Sequence, residues 1–129
     1  RDITIISYGW TVPESLMAAG KLAEQGIDAE VLDLRSIVPL DRPAILESVA
    51  RTRRAIVVHS GVEFGGFGAE VASQIAELAF DDLDAPVGRV AAPFSPVPFT
   101  PALESLYVPD AARIAEAVRS TLARPGIGR

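Results

Sequence analysis

Four short runs of mostly β-branched and aliphatic residues punctuate the chain: Ile3 to Tyr8, Ala29 to Leu34, Ala55 to His59, and Val87 to Ala92. Between them lie longer stretches whose apolar residues recur at helical spacing. Strand and helix alternating four times predict an α/β domain with a parallel sheet and right-handed crossovers. The third run, AIVVH, is almost wholly apolar, as a central strand covered on both faces requires. In such sheets the working loops follow the carboxyl ends of the strands. Here those loops are Gly9-Trp10, Arg35 to Pro39, Ser60 to Phe67, and Pro93 to Thr100.

The helices carry their own start and stop signals. Thr11-Val-Pro-Glu14 reads as a capping box, with Thr11 as cap and Glu14 reaching back to it. Leu16, Ala19, Gly20 and Ala23 then form the expected buried face, and Gly26 is placed to stop the helix. Asp41 is expected to cap a helix carrying Ile45, Leu46 and Val49. Val71, Ile75, Leu78 and Ala79 mark a third helix. Asp110 caps a last one carrying Ile114, Val118 and Leu122. One domain is expected over residues 1–123, with 124–129 (Arg124-Pro-Gly-Ile-Gly-Arg129) as a loose tail.

Composition removes several function classes. The chain has 129 residues, no Cys and one His, His59. Disulfides, thiolate metal sites, Cys nucleophiles and multi-His metal sites are therefore excluded. There is no Asn, and Lys21 is the only lysine among twelve basic residues. A net charge of −5 without a basic run argues against nucleic acid and suits a basic protein partner. Apolar runs are too short to span a bilayer, and Arg1-Asp2-Ile3 does not open a signal peptide, so no membrane association and a cytoplasmic setting are expected. A first residue other than Met suggests a piece of a longer polypeptide.

Each candidate site has a plain reading and a functional one. The loop Gly61 to Glu70, GVEFGGFGAE, holds four glycines before a helix and so permits close packing or anion binding. Its spacing fits neither G-x-G-x-x-G nor a P-loop, and Glu63 and Glu70 would repel phosphate. His59 reads either as a hydrogen-bonded strand-end histidine or as an acid/base group. Ser60 points to the opposite strand face, and no nucleophile elbow is present. Asp81, Asp82 and Asp84 form either a solvated turn or a docking patch for a basic partner. Trp10, the only Trp, fits core or interface alike. The segment Phe94 to Pro101 is a sheet-edge cover if buried and a preformed contact strip if exposed.

Taken in order, ITIISYGWTVPESLMAAGKLAEQGIDAEVLDLRSIVPLD, RRAIVVH, GGFGAEVASQIAELAF and LDAPVGRVAAPFSPVPFTPALESLYVPD resemble the C-terminal domain of the transketolase superfamily. The resemblance is strongest to the β subunit of the E1 component of 2-oxo acid dehydrogenase complexes. It implies a three-layer α/β/α domain with a mostly parallel sheet. The family sheet is five-stranded and mixed, and this chain is expected to lack its first, antiparallel edge strand. It also implies a parent enzyme that decarboxylates a 2-oxo acid on thiamine diphosphate and Mg²⁺. Those groups are held by a GDG…N motif on another domain. With no GDG and no Asn, this chain is expected to bind neither and to hold no catalytic residue.

The implied role is assembly. Gly65, Gly66, Phe67, Gly68 and Glu70 fall where the family packs closely between subunits. Asp81, Asp82 and Asp84 fall near the region that faces the peripheral-subunit-binding domain of E2. The implied partners are an E1 α subunit, a second E1 β subunit and E2. Relatives commonly have His-Glu-Ala where this chain has His59-Ser60-Gly61, so no role is carried over from that Glu. Two rival readings stand beside this one. One is the C-terminal domain of a transketolase or deoxyxylulose-phosphate synthase. The other is a stand-alone ligand-binding module using a crevice near Gly9, Trp10, His59 and Gly65.

Overall fold

The computed structural model describes residues 1–126. Four strands form one sheet: β1 (Ile3–Ser7), β2 (Ala29–Asp33), β3 (Ala55–Val62) and β4 (Gly88–Ala92). All neighbours run parallel, in the order β2-β1-β3-β4. The described residues contain no antiparallel strand. The expected mostly parallel sheet is thus wholly parallel here.

Five helices flank the sheet: α1 (Thr11–Ala23), α2 (Arg42–Thr52), α3 (Phe67–Leu78), α4 (Pro101–Tyr107) and α5 (Ala111–Leu122). The two-residue period of a strand divides the apolar side chains between two cores. Ile3, Ile5, Ile56 and Val58 face one side, where Ala18 and Leu22 of α1 and Ile114 and Val118 of α5 cover them. Ile6, Ala55 and Val57 face the other, under Ile45 and Val49 of α2 and Val71 and Ile75 of α3. Every residue of β1 is buried, so it and β3 lie at the centre of a three-layer α/β/α sandwich.

Several local expectations are corrected. Thr11 does not cap α1. Its hydroxyl lies 2.8 Å from that of Ser7 and donates toward the carbonyl oxygens of Tyr8 and Val58. Glu14 does not reach back. Its Oε2 accepts the Ala111 N–H at 2.8 Å, so α1 caps the start of α5, 97 positions away. Asp110 shares that work by accepting the Arg113 N–H. The buried face of α1 is Thr11, Ser15, Ala18 and Leu22, while Leu16 and Gly20 are exposed. Asp41 does cap α2, accepting from Ala44 N–H, and Gly26 takes the left-handed φ of +79° expected of it.

β3 continues past His59 to Val62. A register irregularity there lets Val62 pair with Ala92, and Glu63 N–H donates to Ala92 O at 2.8 Å. The glycine-rich loop therefore begins two residues later than expected. Leu78 is half exposed rather than core. The helix α4 was not expected at all. Of the expected tail, Arg124, Pro125 and Gly126 extend no helix, and 127–129 lie outside the described residues.

Candidate functional site

The strand order reverses between β1 and β3, and a doubly wound sheet opens a crevice at the carboxyl ends of such a pair. The chain leaves β1 through Tyr8 and Gly9, whose φ of +61° turns it sharply, and then presents Trp10. The indole is 75% exposed. Trp10, Ser60, Val97, Glu104, Tyr107 and Val108 line an open cleft of about 360 Å³. Trp10 is therefore not core, and its indole forms one wall of this cleft.

His59 does not line that cleft. It is 1% exposed, and its ring stacks on Tyr8 with centroids 5.9 Å apart. Phe67 meets Tyr8 edge-on at 5.5 Å. The imidazole fills a pocket that only glycine can leave open. A Cβ on Gly68 would lie 2.2 Å from Nε2, and one on Gly66 would lie 3.0 Å from Cε1. On Gly61 it would lie 2.9 Å from Nδ1. Among the described residues, neither ring nitrogen has a hydrogen-bond partner. Burial, and secondarily the positive charge of Arg89, lower its pKa below the ordinary histidine value. The ring is held neutral. The expected hydrogen-bonded histidine is corrected to a packed one.

This explains the glycines. Gly66 and Gly68 make close contacts within the chain rather than an open anion cradle. Gly66 also sits against Val62 O, where a Cβ would lie 2.0 Å away. Gly65 turns the chain with φ +69° and is exposed, as is Glu70, whose carboxylate accepts from Gln74 Nε2. Phe67 is half-buried and Gly68 buried. Of the five residues expected at a subunit contact, Gly65 and Glu70 are thus the ones presented to solvent. Phe64 of this loop and Phe94, which opens the proline-rich segment expected as a cover or contact strip, are both exposed and pack edge-to-face at 5.1 Å.

The acidic segment is more than a solvated turn. Asp81 and Asp82 lie on a single 3₁₀ turn, Phe80–Asp82. Asp84 is fixed by Arg53, which donates from Nε at 3.0 Å and from Nη2 at 2.8 Å. Asp84 N–H also donates to Arg53 O. Beside this turn, Ala72, Ala76, Phe80, Leu83, Pro86 and Val87 line an apolar groove of about 260 Å³. Phe80 is exposed and Leu83 forms part of the core. The three carboxylates thus accompany an apolar recess that the sequence pattern did not reveal.

A parallel sheet wound on both faces, with its strand order reversing between β1 and β3, defines a doubly wound α/β domain. The family model for the C-terminal domain of transketolase matches residues 1–114, and the chain belongs to that family. It is 43% identical over 122 residues to the β subunit of acetoin:2,6-dichlorophenolindophenol oxidoreductase from Cupriavidus necator, covering 95% of this chain and 36% of that protein. It is 46% identical over 121 residues to the β subunit of the pyruvate dehydrogenase E1 component from Bacillus subtilis, covering 94% and 37%. Among solved structures, an inactive beta4 tetramer of a split-gene transketolase superposes with a TM-score of 0.80 at 30% identity, over 94% of this chain and 38% of that one. The chain therefore spans little more than a third of the length of these relatives. No described helix is long and apolar enough to cross a membrane.

Proposed function

We propose that this chain is the assembly and docking domain of a thiamine-dependent 2-oxo acid dehydrogenase of the E1 β type. The observation that carries the docking reading is the apolar groove at Phe80 and Leu83, with Asp81 and Asp82 between those two residues in the chain and the Arg53–Asp84 pair following. A basic peripheral-subunit-binding domain of E2 fits both features. Carboxylates speed and orient its approach, and the recess takes an apolar side chain. Gly65, Glu70 and the exposed Phe64 and Phe94 supply the surface for a second β subunit or an α subunit.

The chain's own residues do not suit thiamine diphosphate or Mg²⁺. The start of α3, where a diphosphate would seek free N–H groups, is packed by the His59 ring and flanked by Glu63 and Glu70. Among the described residues, no three His, Asp or Glu side chains group as metal ligands do. On the family resemblance, and because the chain carries no GDG and no Asn, we assign the cofactor and the catalytic groups to other parts of the parent enzyme. The test is titration of the assembled enzyme with an E2 subunit-binding domain. Binding should weaken with added salt and by tenfold or more in the D81N/D82N double variant. Unchanged affinity in that variant overturns the docking role of this face.

The structural likeness to a split-gene transketolase favours a second reading, the C-terminal domain of a transketolase-type enzyme. That reading requires no E2 affinity at all, so the same titration separates the two.

A further inference from the structure

The crevice that the fold opens at the reversal of strand order is lined by groups that neither assembly nor docking uses. Its walls are Trp10 from the loop after β1, Ser60 from β3, Val97 from the proline-stiffened segment, and Glu104, Tyr107 and Val108 from α4 and its end. A second, smaller hollow of about 300 Å³ shares Trp10, Glu104 and Val108 with it and adds Pro101 and Ser105. The two hollows thus meet at one indole and one carboxylate.

We propose that this cleft binds a small organic cation, an alkylammonium or guanidinium head group carried on an apolar stem. Three observations bear on the chemistry. The only Trp of the chain is held with three quarters of its surface open, at the point where a doubly wound sheet binds ligands. An aromatic face attracts cations, and indole does so best. Glu104, facing the same space, forms no ion pair or side-chain hydrogen bond among the described residues. Among the described residues, no Lys, Arg or His lines either hollow, so none of them competes for that carboxylate there. Val97 and Val108 supply apolar walls for a stem, and the Ser60 hydroxyl offers one acceptor. An anion would meet only Glu104's repulsion, and a neutral apolar ligand would leave that carboxylate desolvated without a partner.

The walls are stiff enough to preform the site. Pro96, Pro98 and Pro101 restrain the segment that carries Val97. The Tyr107 hydroxyl donates to Ser95 O at 3.0 Å and ties α4 to that segment. Little ordering entropy is then lost on binding.

Because Trp10 is unique, its fluorescence reports occupancy directly. The 129-residue protein is titrated with Nα-acetyl-arginine amide and with choline, and with Nα-acetyl-norleucine amide as the uncharged control. Calorimetry on the same samples guards against trivial quenching. Saturable binding of at least one cation, no saturation by the norleucine compound, and a loss of tenfold or more in E104Q support the proposal. A Trp10→Leu variant, followed by calorimetry, should lose affinity as well. Failure of both cations to saturate, equal binding of the neutral control, or unchanged affinity in E104Q overturns it.

Discussion

Replacing Gly68 by Ala sets two forces against each other. Gly68 lies in the first turn of α3 with no positive φ, so helix propensity alone favours the substitution by up to about 1 kcal/mol. Packing opposes it. The new Cβ would sit 2.2 Å from His59 Nε2 and 2.3 Å from Cδ2. Ordinary contact begins near 3.4 Å, so the ring would have to retreat by about 1.2 Å. It cannot do so freely, because Tyr8 stacks on it and Phe67 braces Tyr8. Overpacking of this kind costs about 1–3 kcal/mol, which exceeds the propensity gain. We expect G68A to be less stable by about 1–2 kcal/mol, a fall in Tm of about 4–8 °C for a chain this size. Urea unfolding followed by circular dichroism measures it. The decisive result comes from a double-mutant cycle with H59A. That variant opens a cavity which the Gly68 methyl partly fills, so the double variant should be about 1–2 kcal/mol better than the sum of the singles. A G68A variant more stable than the wild type, or strict additivity in the cycle, would refute the reasoning.

Two further perturbations test other contacts. Burial and Arg89 lower the folded-state pKa of His59, so between that value and about 6.5 the unfolded chain takes up a proton the folded chain refuses. Stability is then complete above pH ~6.5 and falls as the pH drops below it, by up to about 1.4 kcal/mol per pH unit from this group. Urea midpoints at pH 7.5 and 5.5 should differ more in the wild type than in H59Q, and an equal difference would refute a buried neutral ring. Glu14→Ala removes the acceptor for Ala111 N–H and should cost about 1 kcal/mol, whereas E14Q, which keeps a side-chain oxygen, should recover much of the loss. Thermal melts decide it. An E14A variant as stable as the wild type would show that the cap contributes nothing.

The architecture was legible because its signals are redundant. The two central strands, β1 and β3, are buried and largely β-branched, and Asp41 and Asp110 sit where caps must sit. What the chain hid was reach. Glu14 has the spacing of a local capping box, and only the packing of α1 beside α5 shows that its carboxylate serves another helix. The helix α4 did carry a signal, Thr100 followed by Pro101 at the first helical position, but the neighbouring prolines masked it. The glycine loop could be read as unusual. Its purpose could not, because the group it accommodates is the His59 ring two or more residues upstream, folded back by the irregularity in β3.

The misread face of α1 shows where such readings fail in general. The period was right and the phase was wrong by about one residue. Leu16, Ala19, Gly20 and Ala23 look like the apolar stripe, yet Thr11, Ser15, Ala18 and Leu22 are the ones buried. A hydroxyl can enter the core when its hydrogen bond is satisfied there, within its own helix or across to a strand. Ser15 donates to Thr11 O at 2.8 Å, and Thr11 bonds across to β1 and β3. The same holds opposite α2, where the Thr4 hydroxyl lies within 2.8 Å of Ser48 and 2.7 Å of Thr52. Once small polar residues carry the core contact, larger apolar ones are released to the surface, and Leu16 and Met17 stand exposed. Polarity ranks residues by transfer from water, but here satisfied hydrogen bonds, within the helix and across to the strands, decided which side of the helix the fold could bury.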